Sequence, residues 1–254
     1  MWHSEHGVDY RFGHLLAEGA CSRIHLATGP DGKSCALKLL KGGREPALKE
    51  WSLFGKLPAI PGLLLPVDRG RSEEGPWLAL PYCGGGDLKS RGRLSPDDAV
   101  ALMRRLLETL AALHEAGWVH RDLSPGNVLF DAAGQAWLAD LGCLLETGRV
   151  PAVPRDGLGT PAYAAPEQLI GAPACPQGDL YALGAICYEC LAGVPPFPAD
   201  LAERTAARKL SEAPRPLREV APGVPASLAA IVEDLLRIDA DARPRGARAV
   251  LARL

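Results

Sequence analysis

Apolar residues recur every three or four positions after Ser95. Val100, Met103, Leu106, Leu107, Leu110 and Leu113 fall on one face of a predicted helix over Ser95–Ala116. Ser95 has the chemistry of an N-cap, Pro96 suits the first helical position, Asp98 completes a capping box, and Gly117 stops the helix. Earlier in the chain the pattern is that of strands. Tyr10–Leu26 reads as strand, glycine-containing turn, strand, and Ser34–Leu40 alternates as a third strand. Pro76–Cys83 reads as a strand running into Gly84-Gly85-Gly86, which marks a hinge and a domain boundary. A helix is expected over Glu45–Leu57, with Phe54 turned to the core. Val128–Phe130 and Ala136–Ala139 read as short strands around the turn Asp131–Gly134.

The chemistry concentrates in the segment after the long helix, Val119-His120-Arg121-Asp122-Leu123-Ser124-Pro125-Gly126-Asn127-Val128-Leu129. Pro125 and Gly126 rule out a continuous helix, so the segment is a loop held between apolar flanks. Asp122 can accept a proton from an attacking hydroxyl, and the Asn127 carbonyl oxygen can ligate a hard cation. A base and a metal ligand on one short loop are what phosphoryl transfer from a nucleotide needs. Lys38 sits among apolar neighbours, and a lysine is rarely buried without a partner. Glu45 and Glu50, on the helix that follows, are the candidates.

These motifs, taken in order, resemble those of the eukaryotic-type (Hanks-type) serine/threonine protein kinases. His120–Asn127 resembles the catalytic loop H-R-D-L-x-x-x-N, with Ser124 where most members carry a lysine. Leu16–Ile24 resembles the glycine-rich loop. Only Gly19 is kept, Ala17 and Ser22 replace the outer glycines, and Ile24 stands for valine. Lys38 resembles the V-A-I-K lysine, and the frame Glu50–Leu57 resembles helix C, which selects Glu50 as its partner. Asp140-Leu141-Gly142 resembles D-F-G. Gly159–Glu167 resembles G-T-P-x-Y-x-A-P-E, Asp179–Gly184 the helix F signature, and Arg243 the arginine that pairs with Glu167.

The resemblance implies an α+β, bilobal fold with a β-rich N-lobe at about 10–82 and a mainly helical C-lobe at about 83–254. It implies a kinase that binds ATP and Mg²⁺ and acts on protein substrates. The implied catalytic residues are Asp122, Lys38, Asn127, Asp140, Glu50 and Ser124, with Asn127 and Asp140 as metal ligands. The implied nucleotide contacts are Leu16, Ala17, Gly19, Ile24, Ala36, Lys38, Leu80, Cys83, Asp87 and Leu129. Leu80 takes the gatekeeper position, Cys83 meets the adenine edge and Asp87 the ribose. Serine at 124 offers a neutral hydroxyl in place of an ammonium, which predicts slow turnover. Two alternatives stand beside this reading. One is a pseudokinase, favoured by the altered glycine loop and Ser124. The other is a small-molecule kinase with a loop of the form H-G-D-L-x-P-G-N, opposed by Arg121, the Ala165-Pro166-Glu167 segment and Arg243.

Composition adds limits. The 254 residues are 47% hydrophobic and 23% charged, with net charge −2, so there is no general drive toward nucleic acid or an anionic membrane. No apolar run reaches the length of a bilayer span and Met1–Glu5 is not a signal peptide, so a cytoplasmic chain is expected. The Ala-, Leu- and Arg-rich composition points to a bacterial source. Seven scattered cysteines argue against a disulfide framework. Cys187 and Cys190 read as core residues. Cys21, Cys83 and Cys143 are expected to border the nucleotide pocket, as apolar filler or as thiols that reagents would attack. Thr147 is the only hydroxyl between Gly142 and Gly159. Activity without phosphorylation is therefore expected, with Arg121 paired to a carboxylate or a carbonyl, Glu146 being one candidate.

Overall fold

The computed structural model describes residues 2–19, 21–41, 45–151, 161–197 and 202–254. The first part of the chain is a sheet. Its strands are β1 (Trp2–His3), β2 (Asp9–Glu18), β3 (Ser22–Thr28), β4 (Ser34–Leu40), β5 (Asp68–Ser72) and β6 (Gly75–Pro81). They lie in the order β1-β2-β3-β4-β6-β5, every neighbour antiparallel. The alternation of side chains divides β4 between two apolar clusters. Cys35, Leu37 and Leu39 pack with Tyr10, Ala27, Trp77 and Ala79, and Trp2 stacks against Trp77 at 5.8 Å. Ala36 and Leu40 face the other way, with Leu78 and Leu80.

Helix α1 (Glu45–Ser52) crosses behind this second face. It is shorter than the expected 45–57. Gly55 takes a left-handed φ of 74°, and the Ser52 hydroxyl donates to the Lys49 carbonyl, so the chain turns out of the helix at that point. Phe54 is half-buried beside the second-face cluster, under the Arg69 guanidinium.

The rest is mainly helical: α2 (Leu88–Arg91), α3 (Pro96–Glu115), α4 (Pro166–Leu169), α5 (Pro176–Ala192), α6 (Ala202–Ser211), α7 (Leu217–Val220), α8 (Ala226–Leu235) and α9 (Ala247–Leu251). Short strands β7 (Trp118–Val119), β8 (Val128–Phe130), β9 (Ala136–Leu138) and β10 (Leu145–Glu146) pair as β7–β10 and β8–β9. Helix α3 begins as its sequence requires: the Asp98 N–H donates to the Ser95 hydroxyl at 3.1 Å. Its buried stripe is rotated slightly from the expected one. Ala99 and Leu102 are buried and Val100 only half so. Helix α5 is buried from Gly178 to Tyr188, the burial of a helix that is apolar all round. Cys187 and Cys190 lie in this core, as expected. Close packing of α5 on α8 depends on Gly184, where a Cβ would meet the Leu235 side chain at 2.7 Å.

The glycines between the two parts do more than bend. A Cβ on Gly85 would lie 2.6 Å from the Asp131 carbonyl oxygen. The Gly85 N–H donates to Phe130 O and the Phe130 N–H to Gly86 O, each at 2.8 Å. The crossing point is thus pinned to β8. No helix among the described residues is long and apolar enough to cross a membrane.

Candidate active site

The sheet register sets out the upper wall of the site. Ala17 pairs with Ile24, Ile24 with Lys38 and Lys38 with Leu78; Ala36 pairs with Leu80. Cross-strand partners share a face, so these residues look toward the helical part. Lys38 is buried, and its ammonium donates to Glu50 Oε2 at 2.6 Å and to Asp140 Oδ1 at 3.0 Å. Burial disfavours the charge, but the two carboxylates outweigh it and hold the Lys38 pKa above the ordinary lysine value. Burial pushes the Glu50 carboxyl up, against the pull of Lys38. Of the two candidate glutamates it is Glu50 that Lys38 engages. The β2–β3 turn is drawn closed by charge. Lys41 donates to Gly19 O at 2.8 Å and to Glu18 Oε1 at 2.9 Å, and Arg23 donates to the same oxygen at 2.9 Å. A Cβ on Gly19 would meet nothing nearer than Ser22 O at 4.0 Å.

Below this wall, buried Asp179 of α5 fixes the catalytic-type loop. Its carboxylate accepts the backbone N–H groups of His120 and Arg121, both at 2.8 Å, and pairs with His114 Nε2 at 2.8 Å. Burial works against its charge, but these bonds win and hold its pKa below the ordinary aspartate value. Arg121 takes φ 69° and Asp140 φ 68°, the two non-glycine residues with positive φ among those described. Both stand in the site, where such backbone strain collects. The Asn127 amide donates to Asp122 O at 2.8 Å and to Asp122 Oδ2 at 3.1 Å. The Ala139 N–H donates to Asn127 O at 2.8 Å, so the loop sits beside the strand end that carries Asp140. Ser124 is buried, and its carbonyl accepts the Asn127 N–H at 3.0 Å as residues 125–127 form one tight turn.

The donor set fits a hard cation. Asn127 spends its amide N–H groups on Asp122, which leaves its carbonyl oxygen as the ligand atom. Asp140 directs Oδ1 to Lys38 and to the Gly142 N–H at 3.2 Å, with Oδ2 outside these bonds. Burial opposes its charge, yet Lys38 holds its pKa below the usual aspartate value. Among the described residues no cluster of three or more His, Cys, Asp or Glu could hold a metal. Two oxygen ligands suit Mg²⁺, which is commonly shared with substrate phosphates.

Ala36, Leu80, Cys83 and Leu129 belong to one apolar cluster at the junction of the two parts. Leu16 is more exposed, at the mouth of the β2–β3 turn. Asp87, expected at a ribose, caps α2: its carboxylate accepts the Ser90 N–H at 2.8 Å. Burial pushes the Cys83 thiol up to about 11, so it is poorly nucleophilic near neutral pH. The expected Arg121–Glu146 pair is absent among the described residues; Glu146 pairs with Arg149 at 3.4 Å instead. Gly159 and Thr160 lie outside the described residues.

Beyond the loop, Glu167 of α4 meets Arg243 in a two-pronged pair at 2.7 and 2.8 Å, as expected. Two further residues had not been anticipated. Gln168 donates its side-chain amide to Arg121 O at 2.7 Å, linking α4 to the catalytic-type loop. Lys209 of α6 is wholly buried, and its ammonium touches three main-chain carbonyls just before Ala165.

A sheet-borne lysine held by a helix glutamate, opposite an Asp–Asn loop and an Asp at a strand end, is the constellation of a protein kinase. The sequence profile described as "Protein kinase domain" matches residues 10–253, and the chain belongs to that family. It is similar to the DNA damage-responsive serine/threonine-protein kinase RqkA of Deinococcus radiodurans, with 34% identity over 93% of this chain and 37% of that protein. It is similar to the serine/threonine-protein kinase pkn2 of Myxococcus xanthus, with 32% identity over 94% of this chain and 31% of that protein. It also resembles PknA of Mycobacterium tuberculosis, with 32% identity over 88% of this chain and 55% of that protein. The chain thus spans only part of the length of these bacterial relatives.

Proposed function

We propose that this chain is an ATP-dependent serine/threonine protein kinase, with residues 10–254 as one catalytic domain whose lobes meet at 82/83. The observation that carries the reading is the joined network Glu50–Lys38–Asp140, with Asp122 and Asn127 on the facing loop. Ala36, Leu80, Cys83 and Leu129 supply an apolar slot for the adenine. Gly19 leaves open space where the backbone closes over phosphates. Lys38, kept cationic by its two carboxylates, grips phosphate oxygens. Asn127 and Asp140 would hold Mg²⁺, which neutralises charge on the phosphates. Asp122 orients a serine or threonine hydroxyl and takes its proton as the oxygen attacks the γ-phosphorus. The bond from that phosphorus to the β-phosphate oxygen breaks, and ADP leaves.

The test is mass spectrometry of the chain and a generic protein acceptor after incubation with Mg-ATP. Phosphate on serine or threonine that disappears in Asp122→Asn is the expected result. ATP binding without transfer to either protein would make the domain a pseudokinase.

A further inference from the structure

Lys209 is fully buried on α6, yet among the described residues no carboxylate pairs with it. Its Nζ donates to Pro161 O at 2.9 Å, Ala162 O at 2.6 Å and Ala164 O at 2.8 Å. An ammonium has three protons, and here three carbonyls converge on it. Its charge also lies 5.3 Å from the centre of the Tyr181 ring. Packing alone would be served by a methionine, with no ion to desolvate. What the ammonium adds to packing is its hold on the backbone.

We propose that Lys209 is a positioning residue for the protein acceptor, holding residues 161–164 in the shape that receives an extended peptide. The inference rests on the protein-kinase reading above. In a trans peptide the carbonyl and the next N–H point opposite ways. Carbonyls turned to the ammonium thus turn the N–H groups of Ala162 and Tyr163 away from it, and neither bonds to a described backbone acceptor. Both residues are half-buried rather than sealed in the core. From the turn that Lys209 holds, they offer main-chain donors to the backbone carbonyls of an incoming peptide. Other contacts fix this segment by its side chains: Tyr163 donates to Glu189 at 2.5 Å, and Glu167 is held by Arg243. Lys209 alone among these three holds its peptide planes. Through Gln168 and Arg121 O the same segment is joined to the loop of Asp122. Desolvation draws the Lys209 pKa down to about 7, while the three carbonyls favour the charged form.

The test compares Lys209→Met with the unaltered chain by two readouts. Amide hydrogen exchange at Gln168 and Leu169, whose N–H groups bond Ala165 O at the end of the held segment, is expected to quicken at least about tenfold, the scale of one lost hydrogen bond to a charged group, while α3 and α5 keep their protection. In steady-state assays the KM for the protein acceptor is expected to rise by about tenfold or more, with the KM for ATP and the slow hydrolysis of ATP by water within about twofold. Unchanged exchange, an unchanged acceptor KM, or a parallel loss of ATP hydrolysis would overturn the proposal. If Lys209→Met does not fold, Lys209→Arg takes its place. Its planar guanidinium keeps the charge but cannot present three protons to one point. It should reproduce the rise in acceptor KM, and an acceptor KM equal to that of the unaltered chain sinks the idea. Absence of any transfer by the unaltered chain would count against the kinase reading instead, and the exchange measurement would still decide whether Lys209 holds this segment.

Discussion

Replacing Arg243 by methionine should bring the domain close to unfolding. All five guanidinium N–H groups are used. Two reach Glu167, at 2.7 and 2.8 Å, and three reach the carbonyls of Arg237 at 2.8 Å, Gln177 at 2.8 Å and Ile238 at 3.0 Å. The Arg243 side chain is 0% exposed and that of Glu167 17%. Methionine keeps most of the stem's packing but strands a carboxylate and three carbonyls. Breaking a buried pair from one side costs about 3–5 kcal/mol, and stranded carbonyls about 1 kcal/mol or more each. The partial exposure of Glu167 lets water recover some of this, so a net loss of about 4–6 kcal/mol is expected. That is comparable to the entire stability of many domains, about 5–15 kcal/mol. Urea unfolding followed by tryptophan fluorescence measures it, with Glu167→Gln and the double variant closing a cycle. The two changes should be less than additive by about 2 kcal/mol, because either one already breaks the pair. A loss below about 1 kcal/mol for Arg243→Met, or additive losses, would refute this account.

Gly85→Ala should lose about 1–3 kcal/mol in the same assay, because its Cβ would press on the Asp131 and Phe130 carbonyls at 2.6 and 2.9 Å. Gly19→Ala, with no such contact, should leave the urea midpoint unchanged and weaken ATP binding in a titration. Asp179 predicts acid lability. Its folded pKa lies below the ordinary value of 3.8, so its stabilisation is complete above that pH and lost as pH falls through the folded pKa. Asp179→Asn should therefore be less stable at neutral pH and show a shallower loss of stability below about pH 4, as read by circular dichroism. Ser124→Lys should raise turnover with a protein acceptor by about tenfold or more, by placing a cation near the transferring phosphoryl group; equal or lower turnover would show that another group already supplies that charge.

What could be read from the sequence, and what could not, follows from how each residue interrupts its pattern. Lys38 and Asp179 stand as charges inside apolar runs, and a charge there demands a partner. Both partners exist, Glu50 for Lys38 and, as the resemblance implies for the helix F aspartate, the catalytic-loop backbone for Asp179. Lys209 gives the opposite signal. It follows Arg208 on a polar helix and precedes Leu210, so periodicity assigns Leu210 to the core and Lys209 to solvent. In the structure Thr205 and Lys209, one turn apart, are buried, and Leu210 is 42% exposed. Lys209 is buried because its ammonium meets main-chain carbonyls of residues 161–164. Asp87 carries a local signal beside the resemblance. Its position before Leu88-Lys89-Ser90 has the form of an N-cap, and that bond is what the structure contains. The run Gly84-Gly85-Gly86 reads as a hinge and boundary, and at Gly85 the close approach of two backbones adds a second need for glycine that no sequence pattern signals.

The charged groups of the site fall into two classes that mutation should separate. Asp179, Arg243 and Lys209 bond mostly to main-chain atoms and are 0–3% exposed. A main-chain partner cannot be exchanged without moving the fold, so these contacts persist through any reaction cycle and their loss registers first as stability or segment order. Lys38, Asp140, Asn127 and Asp122 are instead joined largely side chain to side chain, and the Asp140 side chain is 42% exposed. Rotation about side-chain bonds is enough to exchange such partners. When phosphates enter, Lys38 can turn its free proton to them while keeping Glu50, and Asn127 can keep Asp122 while its carbonyl oxygen takes a ligand. The Lys38–Asp140 contact thus ties the segment that carries Asp140 to the sheet, and the Ala139 N–H to Asn127 O bond ties that segment to the loop of Asp122. Kinetic losses from Asp140→Asn or Asn127→Ala should accordingly exceed their losses in stability, the reverse of the order expected for Arg243.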